Sequence, residues 1–253
     1  LGDLMNIVKI LIGCSAFCFS SVLFAQHAQD DWPSPMESML TGQLMVDRLE
    51  MSQTDNGDNV ATWDMLAWYG GDEHRVYFKS EGENQLNDGE PTDLEKTEAL
   101  VSKLISPFWE IQAGLGLRGS MDSDINREHY GVVSLFGLAP YRFEMDNSLT
   151  INEDGDIAAS LEAEYDLRLS QVSYLQPRLE VAAALTDALE YDRPSGLNSV
   201  RLGLRYRYEL SREFAPYIGG YWQQSFGETA DIVEAQGKDD SEFGLVLGVR
   251  MWF

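Results

Sequence analysis

Beyond residue 18 the chain has no cysteine: its two thiols, Cys14 and Cys18, share one short apolar stretch near the start. The remainder therefore has neither a disulfide framework nor a thiolate metal centre available to it. Histidine is almost as scarce, with His27, His74 and His129 the three in 253 residues. Positive charge is thin as well, 18 lysines and arginines against 42 aspartates and glutamates, for a formal charge of -24. Phosphate backbones repel such a chain, so nucleic acid is excluded as a partner and cations are favoured. No stretch after residue 25 approaches the roughly 20 consecutive apolar residues of a membrane-spanning helix. If this protein crosses a membrane it must do so as a closed barrel, which also satisfies every backbone N–H and C=O inside hydrocarbon.

What is present begins with an export signal. Met5, Asn6 and Lys9 precede an apolar run over 10–25 that closes on the small residue Ala25. This order predicts a secretory signal cleaved after Ala25, with residues 1–4 lying upstream of the start at Met5. The string LIGC at 11–14 resembles a lipoprotein site, but too few apolar residues separate Lys9 from Cys14 and the run continues past it. Residues 26–42 are polar, with Pro33 and Pro35, and read as an extended periplasmic leader. The rest, 43–253, reads as one domain, and at 44% hydrophobic and 24% charged residues the whole chain is too balanced for disorder.

Period two dominates that domain. Ile157, Ala159, Leu161, Ala163, Tyr165, Leu167 and Leu169 alternate with Ala158, Ser160, Glu162, Glu164, Asp166 and Arg168. One face is apolar and the other charged, which a helix would scatter around its axis. The pattern recurs over 141–151, 200–210 and 242–253, and more weakly over 43–53, 59–69, 75–83, 92–104, 108–118, 128–138, 174–185 and 214–225. The expectation is an all-β fold, a transmembrane antiparallel β-barrel of about twelve strands. Pro177 and Pro216 stand near the starts of their strands, where a missing N–H is tolerated. Connections alternate in length: short at 70–74, 105–107, 139–140, 170–173 and 211–213, and longer or more polar at 83–91, 119–127, 186–198 and 226–239. Short periplasmic turns and long extracellular loops follow this rule in outer-membrane barrels.

Alternation alone does not say which face meets hydrocarbon, since a soluble barrel inverts the arrangement. The export signal and the strand number favour lipid on the apolar side. Arg142, Arg168, Arg201, Arg205, Arg207, Glu144, Glu162, Glu164 and Glu180 then point into the lumen. On the lipid face a mid-membrane Arg or Lys would cost roughly 2–4 kcal/mol. Trp63, Tyr69, Trp109, Tyr130, Tyr141 and Tyr208 fall near strand ends, as an interfacial girdle of aromatics requires. The sequence ends on Trp252 and Phe253, a terminal aromatic that resembles the assembly signal of outer-membrane barrels.

Nine strings in order together resemble the copper resistance protein B family (CopB/PcoB) of bacterial outer membranes. They are VDRLE at 46–50, AWYGGD at 67–72, KSEGE at 79–83, ISPFW at 105–109, GLAPY at 137–141, LEAEYDL at 161–167, LQPRLE at 175–180, REFAPYIG at 212–219 and GVRMWF at 248–253. The resemblance implies an outer-membrane barrel acting in copper tolerance, alongside a periplasmic multicopper oxidase and copper carriers. Family members often carry a Met- and His-rich leader, reduced here to His27, Met36 and Met39.

Without cysteine beyond the signal, a copper site must be built from Met, His and carboxylates, with thioethers suited to Cu(I) and imidazole to either oxidation state. His129 begins a strand at the outer mouth, and if Tyr130 faces lipid, His129 faces the lumen, either as a metal contact or as a solvated histidine. His74 stands in a periplasmic turn beside Asp72 and Glu73, either a weak Cu(II) site or exposed turn chemistry. Met36 and Met39 offer thioethers at the periplasmic entry, with His27 upstream, while Met45 and Met51 read as lipid-facing or gap-filling side chains. Glu81, Glu83, Asp88, Glu90, Asp93, Asp231, Glu234, Asp239 and Asp240 read as acidic outer loops that concentrate cations.

These features predict a monomeric outer-membrane barrel that binds copper and moves or buffers it in copper homeostasis, with outer-membrane lipid around it. A narrow porin-like channel for small charged solutes, with incidental copper binding, is the alternative. An enzyme is not expected: a hydrolase needs a histidine beside Ser or Asp, and His74 and His129 are placed at opposite ends.

Overall fold

The alternation becomes strands. In the computed structural model, residues 39–86, 92–121, 127–191 and 193–253 are described, and structural statements concern these. The strands are β1 (Thr41–Thr54), β2 (Asn59–Gly70), β3 (His74–Gln85), β4 (Asp93–Ser106), β5 (Trp109–Ser120), β6 (Glu128–Ala139) and β7 (Phe143–Asn152). They continue as β8 (Ile157–Glu164), β9 (Leu167–Arg168), β10 (Ser173–Ala184), β11 (Gly196–Tyr208), β12 (Phe214–Ser225) and β13 (Ser241–Trp252). Each pairs antiparallel with its neighbours, and β13 pairs with β1, so the sheet closes on itself with no free edge. β1 begins two residues before the barrel start expected at 43, because Thr41 and Gly42 already pair with Gly70 and Tyr69. The expected signal segment over 1–25 and most of the expected leader lie outside the described residues.

β8 and β9 form one crossing, so thirteen strands make twelve crossings. Pro177 accounts for the gap between them. The Tyr165 N–H donates to the Pro177 carbonyl at 3.2 Å, and proline has no N–H with which to return the bond. Register is unchanged across the gap, with Arg178 opposite Glu164 and Tyr174 opposite Arg168.

Apolar side chains point outward along the strands, among them Leu49, Val76, Phe78, Val101, Leu115, Leu149, Leu204, Leu245 and Leu247. The side chains shielded inside are largely polar, including Arg48, Glu50, Asp64, Lys79, Glu81, Glu98, Gln112, Arg178, Arg205 and Arg207. This is the inversion of a soluble protein, and with barrel closure it places the chain in the outer membrane. Three inward tyrosines lie over inward glycines of the next strand: Tyr217 on Gly248, Tyr221 on Gly244 and Tyr130 on Gly116. A Cβ at Gly248, Gly244 or Gly116 would come within 2.5 Å of the facing ring, so only glycine leaves room for it.

The aromatic girdle is present with one correction. Tyr69, Tyr141 and Tyr208 are exposed at the periplasmic ends of their strands. Tyr130 is buried inside, donating its hydroxyl to Glu98 at 3.0 Å. The parity of β6 is set by Glu128, whose carboxylate would otherwise stand in the membrane interface.

Candidate functional site

Two β-bulges load the middle of the lumen with charge. On β1, Val46 pairs with Met65 and Arg48 with Asp64, so Asp47 is an extra residue, and Arg250 alone faces Asp47 and Arg48 from β13. On β4, Lys96 pairs with Glu81 and Leu94 with Gly82, leaving Glu95 extra, with Arg118 facing the bulge from β5. A bulge turns two consecutive side chains toward one face, which the alternation rule forbids. Asp47 and Arg48, and likewise Glu95 and Lys96, therefore share the lumen.

Around these bulges a belt of ion pairs crosses the barrel. Arg48 reaches Asp64 at 3.1 Å, Glu180 at 3.2 Å and Glu81 at 3.6 Å. Arg178 reaches Glu180 at 2.7 Å, Glu162 at 2.8 Å, Asp47 and Asp64 at 3.4 Å and Glu164 at 3.6 Å. Lys96 joins Glu162 at 2.7 Å to Glu81 at 2.8 Å. The Arg48, Lys96 and Arg178 cations thus stand among Asp47, Asp64, Glu81, Glu162, Glu164 and Glu180, with Arg250 adding a pair to Asp47 at 2.9 Å. Six carboxylates thus stand among four cations, so the belt offers more oxygen acceptors than cations to occupy them. On neighbouring strands Asp146, Glu162 and Glu180 stand in one row, like charges directly opposite one another. That row is tolerable because Lys79 holds Asp146 at 2.5 Å while Lys96 and Arg178 hold Glu162.

The belt divides the lumen. A cavity on the periplasmic side is lined by Met45, Asp47, Lys79, Phe136, Glu144 and Glu164 among others. A second, on the outer side, is lined by Glu95, Glu98, Arg118, Tyr130, Ser148, Ser160, Arg193 and Arg201 among others. Glu81, Lys96 and Glu162 line both. One wall of the lumen is not ionic: Tyr77, Leu100, Tyr130 and Val132 pack together with Leu66 and Trp68.

The residues singled out as copper ligands are not brought together. His27 and Met36 lie outside the described residues. Met39 precedes β1 and is exposed. His74 opens β3 at the periplasmic rim, exposed and cross-strand from Lys103. His129 is a correction: it is exposed on the outside of the wall near the outer rim, because inward Glu128 and Tyr130 fix its parity. Among the described residues no group of three or more His, Cys, Asp or Glu is arranged to cage a metal ion.

Other placements differ too. Met45, expected to face lipid or fill a gap, lines the periplasmic cavity and its Sδ accepts an Arg250 N–H at 3.4 Å, whereas Met51 faces outward. Arg142 sits exposed in the periplasmic turn before β7, and Arg168 is exposed in β9 at its periplasmic end, donating to the Ser170 carbonyl at 3.0 Å. Arg205 and Arg207 are buried in the lumen as expected, and Arg201 lines the outer cavity, stacked 4.1 Å from the Tyr221 ring. Glu81 and Glu83 belong to β3 rather than to an outer loop, and Glu81 is part of the belt. Asp88 and Glu90 lie outside the described residues.

The belt draws on the same strings that carry the family resemblance. VDRLE supplies Asp47 and Arg48, KSEGE supplies Lys79 and Glu81, LEAEYDL supplies Glu162 and Glu164, and LQPRLE supplies Arg178 and Glu180. Comparison with known proteins agrees with that resemblance. The family described as Copper resistance protein B precursor (CopB) matches residues 40–253. Copper resistance protein B of Escherichia coli is 36% identical over 217 residues, covering 86% of this chain and 71% of that protein. A Copper resistance protein B homolog of Pseudomonas syringae pv. tomato is 32% identical over the same shares. Among solved structures the NanC porin superposes with a TM-score of 0.52 at 12% identity, covering 82% of this chain and 98% of that one, a likeness of fold alone. The closed barrel, its polar lumen and these matches together make the chain a member of the copper resistance protein B family, an outer-membrane β-barrel of copper resistance.

Proposed function

We propose that this barrel is a non-enzymatic, monomeric passage that binds copper ions and moves them across the outer membrane through the ionic belt. The observation that carries the reading is the excess of carboxylates over cations at the belt. A passing copper ion is the substrate here. It exchanges with Arg48, Lys96 or Arg178 for oxygen ligands already in place, and binding of this strength permits both entry and release. Met45 adds a thioether at the periplasmic side of the belt, a donor suited to Cu(I). Met39 and His74 at the periplasmic rim, with His27 and Met36 upstream in sequence, are the proposed points of exchange with periplasmic carriers and a copper oxidase.

The test is copper flux into proteoliposomes. Glu162→Gln combined with Glu180→Gln is expected to lower copper flux about tenfold, since the belt then loses the negative field that concentrates the ion. Unchanged flux in that variant, with folding verified by heat-dependent gel mobility, would remove the belt from the pathway. A second reading is a narrow channel for small charged solutes. It is favoured by the oxygen-rich belt, whose ion-pair acceptors are carboxylates. It predicts equal conductance for copper and calcium, indifferent to Met45→Leu and His129→Ala.

A further inference from the structure

Arg193, in the connection between β10 and β11, lines the outer cavity. Between β10 and β11 the chain reaches across the mouths of β7 and β8 to β6, where Arg193 donates to Glu128 at 2.6 Å and 3.2 Å. Glu128 is 1% exposed, and Arg118 of the barrel wall binds the same carboxylate. A carboxylate so buried and shared between the wall and a loop is a strong, directional attachment. Pro194, next to Arg193, is among the most completely buried side chains of the protein.

The two limbs of this connection are tied to each other. The Ala188 N–H donates to the Arg193 carbonyl at 2.8 Å, and Asp187 Oδ1 accepts the Ser195 N–H at 2.8 Å. Hydrogen bonds from Ser195 hold the Asp187 carboxyl below the usual carboxylate range, so this tie persists at neutral pH. At the junction of the connection with β11 stands Gly196, whose φ of +120° is a conformation open to glycine and strained for other residues. Two side contacts steady it: Thr186 accepts the Ile157 N–H at 2.7 Å, and Asn198 donates to the Pro194 carbonyl at 2.8 Å and to Thr229 at 2.9 Å.

We infer that the connection carrying Arg193 is a hinged extracellular lid on the outer cavity, and that Glu128 is the keeper that latches it shut. The lid controls access from outside whatever solute the belt accepts, so its success or failure is separate from the copper reading.

Because the chain has no cysteine beyond residue 18, a single thiol in the outer cavity reports lid opening cleanly. Ala182 lines that cavity, and Ala182→Cys changes little volume. Labelling of this variant from the extracellular side by a bulky, membrane-impermeant thiol reagent is slow while the latch holds. Adding Arg193→Gln is expected to speed labelling about tenfold, equivalent to about 1.4 kcal/mol taken from the closed state. Adding Glu128→Gln has the same effect, and the two together exceed neither alone, because both act on one contact. Equal labelling rates in Ala182→Cys with and without Arg193→Gln, or additive effects of the two latch variants, would overturn the lid. Arg193 lies in a connection outside the strands, so the Arg193→Gln barrel keeps its fold, which heat-dependent gel mobility verifies in the same samples.

Discussion

Asp47 with Arg48 on β1 and Glu95 with Lys96 on β4 are built alike: an acid then a base, bulged, and faced by one arginine of the adjoining strand. They are used differently. In the first, both members are held, Asp47 by Arg250 at 2.9 Å and Arg178 at 3.4 Å, and Arg48 by three carboxylates. In the second, Lys96 bridges Glu81 and Glu162, while Glu95 lines the outer cavity with no ion pair among the described residues. The difference teaches that a bulge is a way to double charge at one level of a narrow lumen, and that the extra charge can serve either closure or solvation. The β1 bulge fastens the belt; the β4 bulge leaves one carboxylate lining the outer cavity.

That contrast can be broken in graded steps, each read as the urea midpoint of unfolding from lipid vesicles, with slope checked for constancy. The largest effect is expected for Arg178→Met, which strips the cation shared by five carboxylates. Leaving buried charges uncompensated costs about 3 kcal/mol, and the variant should regain stability at low pH as those carboxylates are protonated. Deleting Asp47 restores regular alternation on β1 without turning any other side chain, and removes one charged hydrogen-bond acceptor from Arg250 and Arg178. A loss of about 2 kcal/mol is expected. Deleting Glu95 likewise regularises β4 but breaks no ion pair, so less than about 0.5 kcal/mol should be lost. A Glu95 deletion as harmful as the Asp47 deletion would show that the bulge geometry, not the pairing, is what matters.

The regular strands were legible because their chemistry repeats. In β11, Leu202, Leu204, Tyr206 and Tyr208 face out against Arg205 and Arg207, as the alternation states. Strand ends, the alternating connections and the membrane face followed from the same pattern. The bulges leave a different mark in the sequence: Val46 and Leu49, and Leu94 and Thr97, are outward residues three apart with two charges between them. His129 faces out of the wall for a different reason. Near a rim, an aromatic can serve either the interface or the lumen, so Tyr130 could not fix the parity of β6, whereas Glu128 with its two arginine partners could.

By itself the sequence determined the barrel: period-two alternation without a helical apolar run allows few other ways to bury the backbone in a membrane, and it does so strand by strand. Only the tertiary structure decided the belt and the latch. Arg48 meets Glu180 and Arg193 meets Glu128 across the lumen, between strands and loops far apart in the chain. Such pairings are set by curvature, stagger and bulges of the closed sheet, which no local run of residues encodes.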